Sequence, residues 1–263
     1  MIGFIGTGKM GSALISGAIK VFGQEYTVFY DPSENTQKAV TEQYGITACH
    51  NNRDLVRRCD IIVLAVKPQI LFKVLEEIKL AFDDEPRTVI SIAPGITTAQ
   101  ISSALDHKAQ VVRVMPNTPA MVGEGMCAIS FAEGFKGDAD STMKLFNAVG
   151  RTVILHENLM NASVVANGSS PAFVFIFIEA LADGAVKYGI PRDKAYEMAA
   201  QTVLGSAKLM LETGKTPAEL KDAVCSPGGT TICGTAVLEE NNFRGAVIKA
   251  CDAVFEKTQN MEK

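Results

Sequence analysis

The sequence lacks the marks of several protein classes. Its 25 Lys and Arg residues are outnumbered by 29 Asp and Glu residues, which gives a formal net charge of −4, and no basic run is long enough to form a nucleic-acid-binding stripe. The six cysteines include no C-x-x-C pair, so neither a zinc site nor a disulfide framework is indicated. We therefore expect neither a nucleic-acid partner nor a bound metal.

A secretory leader and a membrane span are also not predicted. The chain begins on an apolar stretch without a charged leader or a cleavage site, so we expect a cytoplasmic protein. No charged residue lies between Glu157 and Glu179, but polar residues interrupt this segment, and only residues 173–178 are continuously apolar. That run is much shorter than the ~20 apolar residues that a spanning helix requires.

The 263 residues instead show the pattern of a soluble α/β chain with a helical extension. Up to about residue 156, short β-branched runs alternate with helix-length segments, which predicts βαβ units in a doubly wound, mostly parallel sheet. After His156 only helical patterns follow, with Pro near their starts and Gly near their ends. We predict two domains, a nucleotide-binding domain over residues 1–156 and an all-helical domain over residues 157–263.

The predicted helices of the second domain cover residues 170–189, 191–214, 217–224, 230–239 and 242–257. The first of these is apolar on nearly all sides from Pro171 onward. Such a helix is buried either within one subunit or against a second copy of the chain, and the sequence does not separate these alternatives. The helical domain is therefore a candidate dimerisation element.

A glycine-rich motif follows the first predicted strand. Gly6, Gly8 and Gly11 form a complete G-x-G-x-x-G, with Lys9 and Met10 at the mouth of a helix. The first glycine permits a tight turn, the second lets a pyrophosphate approach the backbone, and the third lets the helix pack close to the strand. The motif in this context predicts a dinucleotide site.

An acidic residue stands where this site needs one. Asp31 follows Gly11 by 20 residues, at the end of the second predicted strand, where a ribose-binding carboxylate is expected. A carboxylate repels a 2′-phosphate, which favours NADH. Ser33, Asn35 and Lys38 in the same loop could instead serve a phosphate, so the choice between NADH and NADPH stays open.

Three more turns follow predicted strands. Lys67-Pro68 and Ala93-Pro94-Gly95 each end a strand of the predicted sheet, so we expect them to flank the nicotinamide half of the cofactor. Lys67 fits a solvated helix start equally well. Asn117, in a Pro- and Gly-rich loop, would face the same crevice unless that loop is only a rigid turn.

In the helical half, residues 226–231 read Ser-Pro-Gly-Gly-Thr-Thr at the start of a helix. Free backbone N–H groups at such a start suit a substrate carboxylate. An ordinary cap, with Thr230 capping its own helix, explains the spacing as well.

Taken together, these segments resemble pyrroline-5-carboxylate reductases. The resemblance is carried by Gly3–Gly11, Leu64–Gln69, Arg113–Gly125, Ala180–Arg192 and the run from Glu219 through SPGGTT to Glu239. It covers nearly the whole chain and implies a reductase that makes L-proline from (S)-1-pyrroline-5-carboxylate with NADPH or NADH. It also implies a Rossmann domain followed by a helical dimerisation domain, with dimers able to assemble into a decamer.

The resemblance also assigns residues. It implies cofactor contacts at Gly6, Gly8, Lys9, Met10, Gly11, Asp31, Asn51, Ala65, Val66, Lys67, Pro68, Ala93, Pro94 and Gly95. It places the substrate carboxylate near Ser226, Gly229, Thr230 and Thr231, with the Thr231 hydroxyl beside the ring nitrogen. These motifs contain no paired carboxylates and no well-placed histidine, so we assign Thr231 a positioning and hydrogen-bonding role rather than that of an acid.

Two other readings remain. The β-hydroxyacid dehydrogenases share the two-domain plan but use a helix lysine soon after the domain junction, and here no lysine occurs between Gly168 and Lys187. A non-catalytic, dinucleotide-binding regulatory relative is the second. Ser170 and Pro94, which replace residues usual in the reductases, keep that reading open.

Overall fold

An eight-stranded sheet forms the centre of the first unit in the computed structural model, which describes residues 1–83 and 87–261. The strands are β1 (Ile2–Ile5), β2 (Thr27–Tyr30), β3 (Thr47–Ala48), β4 (Ile61–Leu64), β5 (Arg87–Ser91), β6 (Ala109–Met115), β7 (Gly125–Phe131) and β8 (Gly150–Ile154). Their order is β3-β2-β1-β4-β5-β6-β7-β8. All neighbours pair in parallel except β6 and β7, which confirms the predicted mostly parallel sheet. The two-residue β3 was not predicted.

Helices cover both faces of this sheet. They are α1 (Lys9–Phe22), α2 (Glu34–Tyr44), α3 (Asn52–Arg58), α4 (Pro68–Ile78), α5 (Thr98–Ala104) and α6 (Ala139–Asn147). One apolar cluster packs α3, α4 and α5 on one face, and a second packs α1, α2 and α6 on the other. Strands buried on both faces are apolar throughout, which is why β1 and β4 read as unbroken runs such as Ile-Ile-Val-Leu.

The strand order creates a crevice between β1 and β4. From β1 the chain builds outward through β2 and β3, and from β4 it builds the other way through β5 and β6. This is the doubly wound order in which a dinucleotide binds beyond the carboxyl ends of the strands, where the order reverses. The glycine motif lies at this point.

The chain after β8 is helical earlier than predicted. A 3-10 turn (Glu157–Leu159), α7 (Met160–Ser163) and one π-helical turn (Val164–Gly168) lead into α8 (Ser170–Lys187). Because Asn, Ser and Gly are weak helix formers, the composition of this segment did not predict a helix. The stretch Glu157–Lys187 spans 31 residues and is long and apolar enough to cross a membrane by length and composition alone, a test that core helices of soluble proteins also pass. The expectation of no membrane span stays a prediction.

Five helices account for the described chain from residue 170 onward, apart from short connections. They are α8, α9 (Arg192–Thr213), α10 (Pro217–Val224), α11 (Thr230–Glu240) and α12 (Phe243–Met261). The predicted bounds are close, because Pro217 begins α10 and Gly214, in a left-handed conformation, ends α9. Only α12 runs several residues beyond its prediction. No strand occurs among residues 157–261, as predicted.

The chain divides into two compact units, residues Met1–Pro171 together with the chain from Val254 onward, and residues Ala172–Ala253. The boundary predicted at residue 156 marks the change from strand to helix. In the second unit the core cluster contains only three buried residues, all alanines, whereas large apolar side chains such as Phe175 and Ile176 are 64% and 66% exposed. Such an exposed apolar surface indicates a protein interaction surface.

Candidate active site

The three glycines of the loop after β1 take different backbone roles. Gly6 has a φ of +90°, a conformation that other residues rarely adopt. A Cβ on Gly11 would lie 2.5 Å from the carbonyl oxygen of Gly6 and 3.3 Å from the Cβ of Ala65, so only glycine allows α1 to approach this closely. A Cβ on Gly8 would have no protein atom within 4 Å. The loop is therefore tight at both ends and open at its middle.

The open middle coincides with the start of α1. Gly8 is the N-cap residue and offers no side chain to the helix, so the first-turn N–H groups, those of Lys9, Met10 and Gly11, receive no side-chain cap. Uncapped N–H groups and the positive end of the helix dipole attract an anion such as a pyrophosphate. The residues present thus fit the phosphates of a dinucleotide.

Asp31 directly follows β2 and lies beside this loop. Its Oδ2 accepts the backbone N–H of Thr7 at 3.1 Å and the Thr7 hydroxyl at 3.0 Å, while Oδ1 accepts the N–H of Ser33 at 3.0 Å. The carboxylate therefore braces the glycine loop against the end of β2. Thr7 is a buried residue that sequence reasoning did not single out, because its role appears only through this contact across 24 residues.

The turn after β4 borders the same loop. A Cβ on Gly6 would lie 2.8 Å from the carbonyl oxygen of Ala65 and 3.0 Å from Cγ1 of Val66. Pro68 begins α4, and Lys67 is its exposed N-cap residue without a side-chain cap bond. The structure therefore brings residues 65–68 against the glycine loop at the crevice between β1 and β4.

The turn after β5 contains Ala93, Pro94 and Gly95, which the sequence predicts to flank the nicotinamide. Ala93 is buried, and its N–H donates to the Ser91 hydroxyl at 3.3 Å. Pro94 has no N–H to donate, and Gly95 has a φ of +73°. Since β4 and β5 are neighbours in the sheet, this turn lies at the same carboxyl edge as residues 65–68.

Two predicted asparagines have internal partners. Asn51 is the N-cap residue of α3, and its Oδ1 accepts the N–H of Asp54 at 2.9 Å. Asn117 is buried, and its Oδ1 accepts the N–H of Met126 at 2.8 Å. Each side chain therefore uses its carbonyl oxygen to hold local structure.

The Ser226–Thr231 segment lies in the second unit. Gly229 donates its N–H to the carbonyl of Ser226 at 3.0 Å, and Gly228 has a φ of +66°, so Pro227 and Gly228 form the centre of a tight turn. The N-cap residue of α11 is Gly229, without a side-chain cap bond. The alternative in which Thr230 caps its own helix is therefore wrong, and Ser226, Thr230 and Thr231 are exposed beside uncapped N–H groups.

The segment from β8 to the start of α8 contains Asn167, which the sequence did not single out, and Ser170, which it did. Asn167 donates its amide to the carbonyl oxygens of Met115 and Met126, at 2.8 and 2.9 Å, which fastens the π-helical turn to β6 and β7. The hydroxyl of Ser170 donates to the carbonyl of Ala166 at 2.6 Å, within the helical segment. The serine at position 170, which differs from the residue usual in the reductases, therefore satisfies its hydroxyl within its own helical segment.

Within the described residues no group of three or more His, Cys, Asp or Glu side chains is arranged to hold a metal ion. A cavity of about 550 Å³, lined by residues such as Ile2, Asp60 and Ile61, lies at the amino ends of β1 and β4, opposite the glycine loop.

The strand order, the glycine loop and Asp31 together define the class of protein, which is a Rossmann-type dinucleotide-binding protein with a helical second unit. Comparison with known proteins identifies the family within this class. A family model described as pyrroline-5-carboxylate reductase dimerisation matches residues 157–261, and one described as NADP oxidoreductase, coenzyme F420-dependent, matches residues 1–95. The chain belongs to the pyrroline-5-carboxylate reductase family.

Relatives match over the full length. The pyrroline-5-carboxylate reductases of Escherichia coli (strain K12) and Methanosarcina acetivorans are each 44% identical, over 100% of this chain and 98% of the relative. The structure of a pyrroline-5-carboxylate reductase from Coxiella burnetii matches with a TM-score of 0.93 at 32% identity, over 100% of this chain and 98% of that one. The Plasmodium falciparum pyrroline carboxylate reductase, with NADP bound, matches with a TM-score of 0.87 at 33% identity over the same shares.

Proposed function

We propose that this protein reduces (S)-1-pyrroline-5-carboxylate to L-proline with NADPH or NADH, the final step of proline biosynthesis. The observation that carries the proposal is the uncapped, glycine-lined start of α1 at the strand-order reversal, in a chain that aligns along its whole length with reductases of this name. The remaining assignments follow from what such a reaction requires of each segment.

The first unit holds the cofactor in this proposal. The N–H groups at the start of α1 bind the pyrophosphate, and Asp31 stands near the adenosine ribose. Residues 65–68 and 93–95, at the carboxyl ends of β4 and β5, flank the nicotinamide. Asn117 supports the loop after β6, and Asn51, which follows β3, supports the start of α3 on the adenosine side. When bound, NAD(P)H supplies the hydride that reduces the C5 carbon of the imine.

The start of α11 holds the substrate. Its uncapped N–H groups, with the turn from Ser226 to Gly229, bind the substrate carboxylate. The Thr231 hydroxyl oxygen accepts the N–H of the protonated imine and fixes the ring orientation. Because hydride adds to an imine that is already protonated, the product is an amine without transfer from a side-chain acid.

The chain self-associates through its helical unit, as the match to the dimerisation family implies. We propose that the exposed apolar surface of α8, including Phe175 and Ile176, is covered by a second copy, and that the protein works as a cytoplasmic dimer able to form a decamer. Sedimentation of the detergent-free protein tests this. A monomer, or a chain that requires detergent, would contradict it.

A rate measurement tests the reaction itself. We expect oxidation of NADPH or NADH, run in parallel, when pyrroline-5-carboxylate is added, and none with a β-hydroxyacid. Oxidation with the hydroxyacid alone would support the dehydrogenase alternative. Binding of either dinucleotide without oxidation would support the non-catalytic regulatory alternative that Pro94 and Ser170 keep open.

A further inference from the structure

A single carboxylate joins three segments at the carboxyl edge of the sheet. Oε1 of Glu157 accepts the N–H of Thr98 at 2.7 Å, and Oε2 accepts the Thr98 hydroxyl at 2.5 Å. The same Oε1 lies 3.7 Å from Nη1 of Arg113. Glu157 follows β8, Thr98 begins α5 and Arg113 lies on β6, so the contacts tie together parts of the chain that are far apart in sequence.

The arrangement is anchored in the core. Arg113 is only 3% exposed, and its Nη2 donates to Oδ1 of Asn161 at 2.8 Å. A buried guanidinium is costly unless acceptors and an opposite charge surround it. Glu157 supplies an opposite charge and Asn161 an acceptor, so both help to stabilise the buried Arg113.

These contacts bear on residues 93–95. Arg113 pairs with Ser91 in the register of β5 and β6, and Ser91 accepts the N–H of Ala93 at the start of the turn. On the other side of the turn, Thr98 lies three residues beyond Gly95 at the start of α5, and it donates two hydrogen bonds to Glu157. Pro94 donates no hydrogen bond, and side-chain contacts of Ser91 and Thr98 lie on either side of the turn.

We propose that Glu157 is a positioning residue which, through Thr98, sets the conformation of the turn at residues 93–95 for the nicotinamide half of the cofactor. The proposal rests on the function proposed above. The proposal predicts an effect on binding of the nicotinamide half and none on binding of the adenosine half. The glycine loop and Asp31, on the adenosine side, have no hydrogen bond to Glu157 or Thr98 among those of the described residues.

The test removes the buried hydroxyl with Thr98→Val and retains it with the matched control Thr98→Ser. Calorimetric titration gives the Kd of NADPH and of 2′-phospho-ADP-ribose, which lacks the nicotinamide, and steady-state kinetics give kcat and the KM of the cofactor. Because a hydrogen bond to a charged group is lost, we expect Thr98→Val to weaken NADPH binding about tenfold and to lower kcat. We expect 2′-phospho-ADP-ribose to bind as in the wild type, and Thr98→Ser to restore both values.

A second variant, Glu157→Gln, keeps the side-chain shape and removes the charge, and it serves the same test if Thr98→Val does not fold. Selective loss of NADPH binding in either variant supports the proposal. Wild-type NADPH affinity in both variants, or an equal loss for NADPH and 2′-phospho-ADP-ribose, overturns it. Because the proposed function allows either dinucleotide, the same titrations are made with NADH and ADP-ribose. If the wild-type protein binds neither NADPH nor NADH, the proposed function itself is contradicted and the positioning role falls with it.

Discussion

Asp31 and Thr7 are joined by two hydrogen bonds, because Oδ2 of Asp31 accepts both the backbone N–H and the hydroxyl of Thr7 at 3.1 and 3.0 Å. The acidic residue at the end of β2 is therefore part of the glycine loop as well as a candidate ribose ligand. Its substitution has two separable effects, one on loop stability and one on cofactor choice.

Replacing Asp31 shifts cofactor preference. We expect Asp31→Ser and Asp31→Asn both to raise the affinity for NADPH relative to NADH about tenfold, because each removes the negative charge that repels a 2′-phosphate. Asp31→Ser should also lower the melting temperature more than Asp31→Asn does, since asparagine keeps an acceptor for Thr7 and loses only the one for Ser33. Titrations with both dinucleotides provide the ratio. An unchanged ratio in both variants would show that Asp31 does not reach the ribose.

Gly8→Ala separates binding from folding. A Cβ at this position meets no protein atom within 4 Å, and the backbone has an ordinary φ of −62°, so the melting temperature should stay within about 2 °C of the wild type. The added methyl group occupies space needed by the pyrophosphate, and we expect dinucleotide Kd to rise at least about tenfold. Gly11→Ala, by contrast, should destabilise the fold because of its 2.5 Å contact with Gly6. Wild-type dinucleotide affinity in Gly8→Ala would contradict the pyrophosphate assignment.

Thr231 is tested against a threonine on the same helix. We expect Thr231→Ala to lower kcat about tenfold or more, because the imine loses a hydrogen-bonding partner, while Thr231→Ser retains most activity. Thr235→Ala is the control, since the Thr235 hydroxyl already donates to the carbonyl of Ile232. Full turnover in Thr231→Ala would exclude the assigned role.

The buried thiols of Cys59 and Cys127 should make the folded protein less stable as the pH rises above about 9. Burial raises the pKa of Cys59 and of Cys127 from 9.0 to about 12. Both stay protonated in the folded chain but ionise in the unfolded chain above about pH 9, so their contribution to stability is complete below pH 9 and is lost as the pH rises toward 12. Each thiol should account for about 1.4 kcal/mol of the unfolding free energy per pH unit in that window.

Urea unfolding at about pH 8 and about pH 10 measures this effect. The double variant Cys59→Ala/Cys127→Ala should lose less stability between the two pH values than the wild type does. Cys233→Ala, which removes an exposed thiol, should keep the wild-type difference. A double variant with the wild-type pH dependence would refute this explanation.

The sequence predicted those parts of the molecule that local patterns determine. The glycine spacing, the position of Asp31 and the Pro or Gly residues at helix ends follow from local backbone rules, so the loop after β1 and the bounds of α9, α10 and α11 were foreseen closely. Long-range contacts leave no such signal. Glu157 and Thr98 are 59 residues apart, and neither residue type suggests the other as a partner.

Tertiary contacts also explain the helical segment that was missed. Residues 160–168 contain weak helix formers, and their helical turns are held by Asn167 through carbonyl groups of β6 and β7 rather than by propensity. Similarly, the resemblance implies that Asn51 is a ligand residue and its loop position suggests the same for Asn117, but their internal hydrogen bonds appear only in the folded chain.

The central claim is that this chain is a working reductase, and the rate of NADPH and NADH oxidation with pyrroline-5-carboxylate tests it most directly. The account predicts that oxidation depends on this substrate, that L-proline accumulates in equal amount, and that a β-hydroxyacid gives no oxidation. Tight dinucleotide binding without any oxidation or proline formation would contradict it.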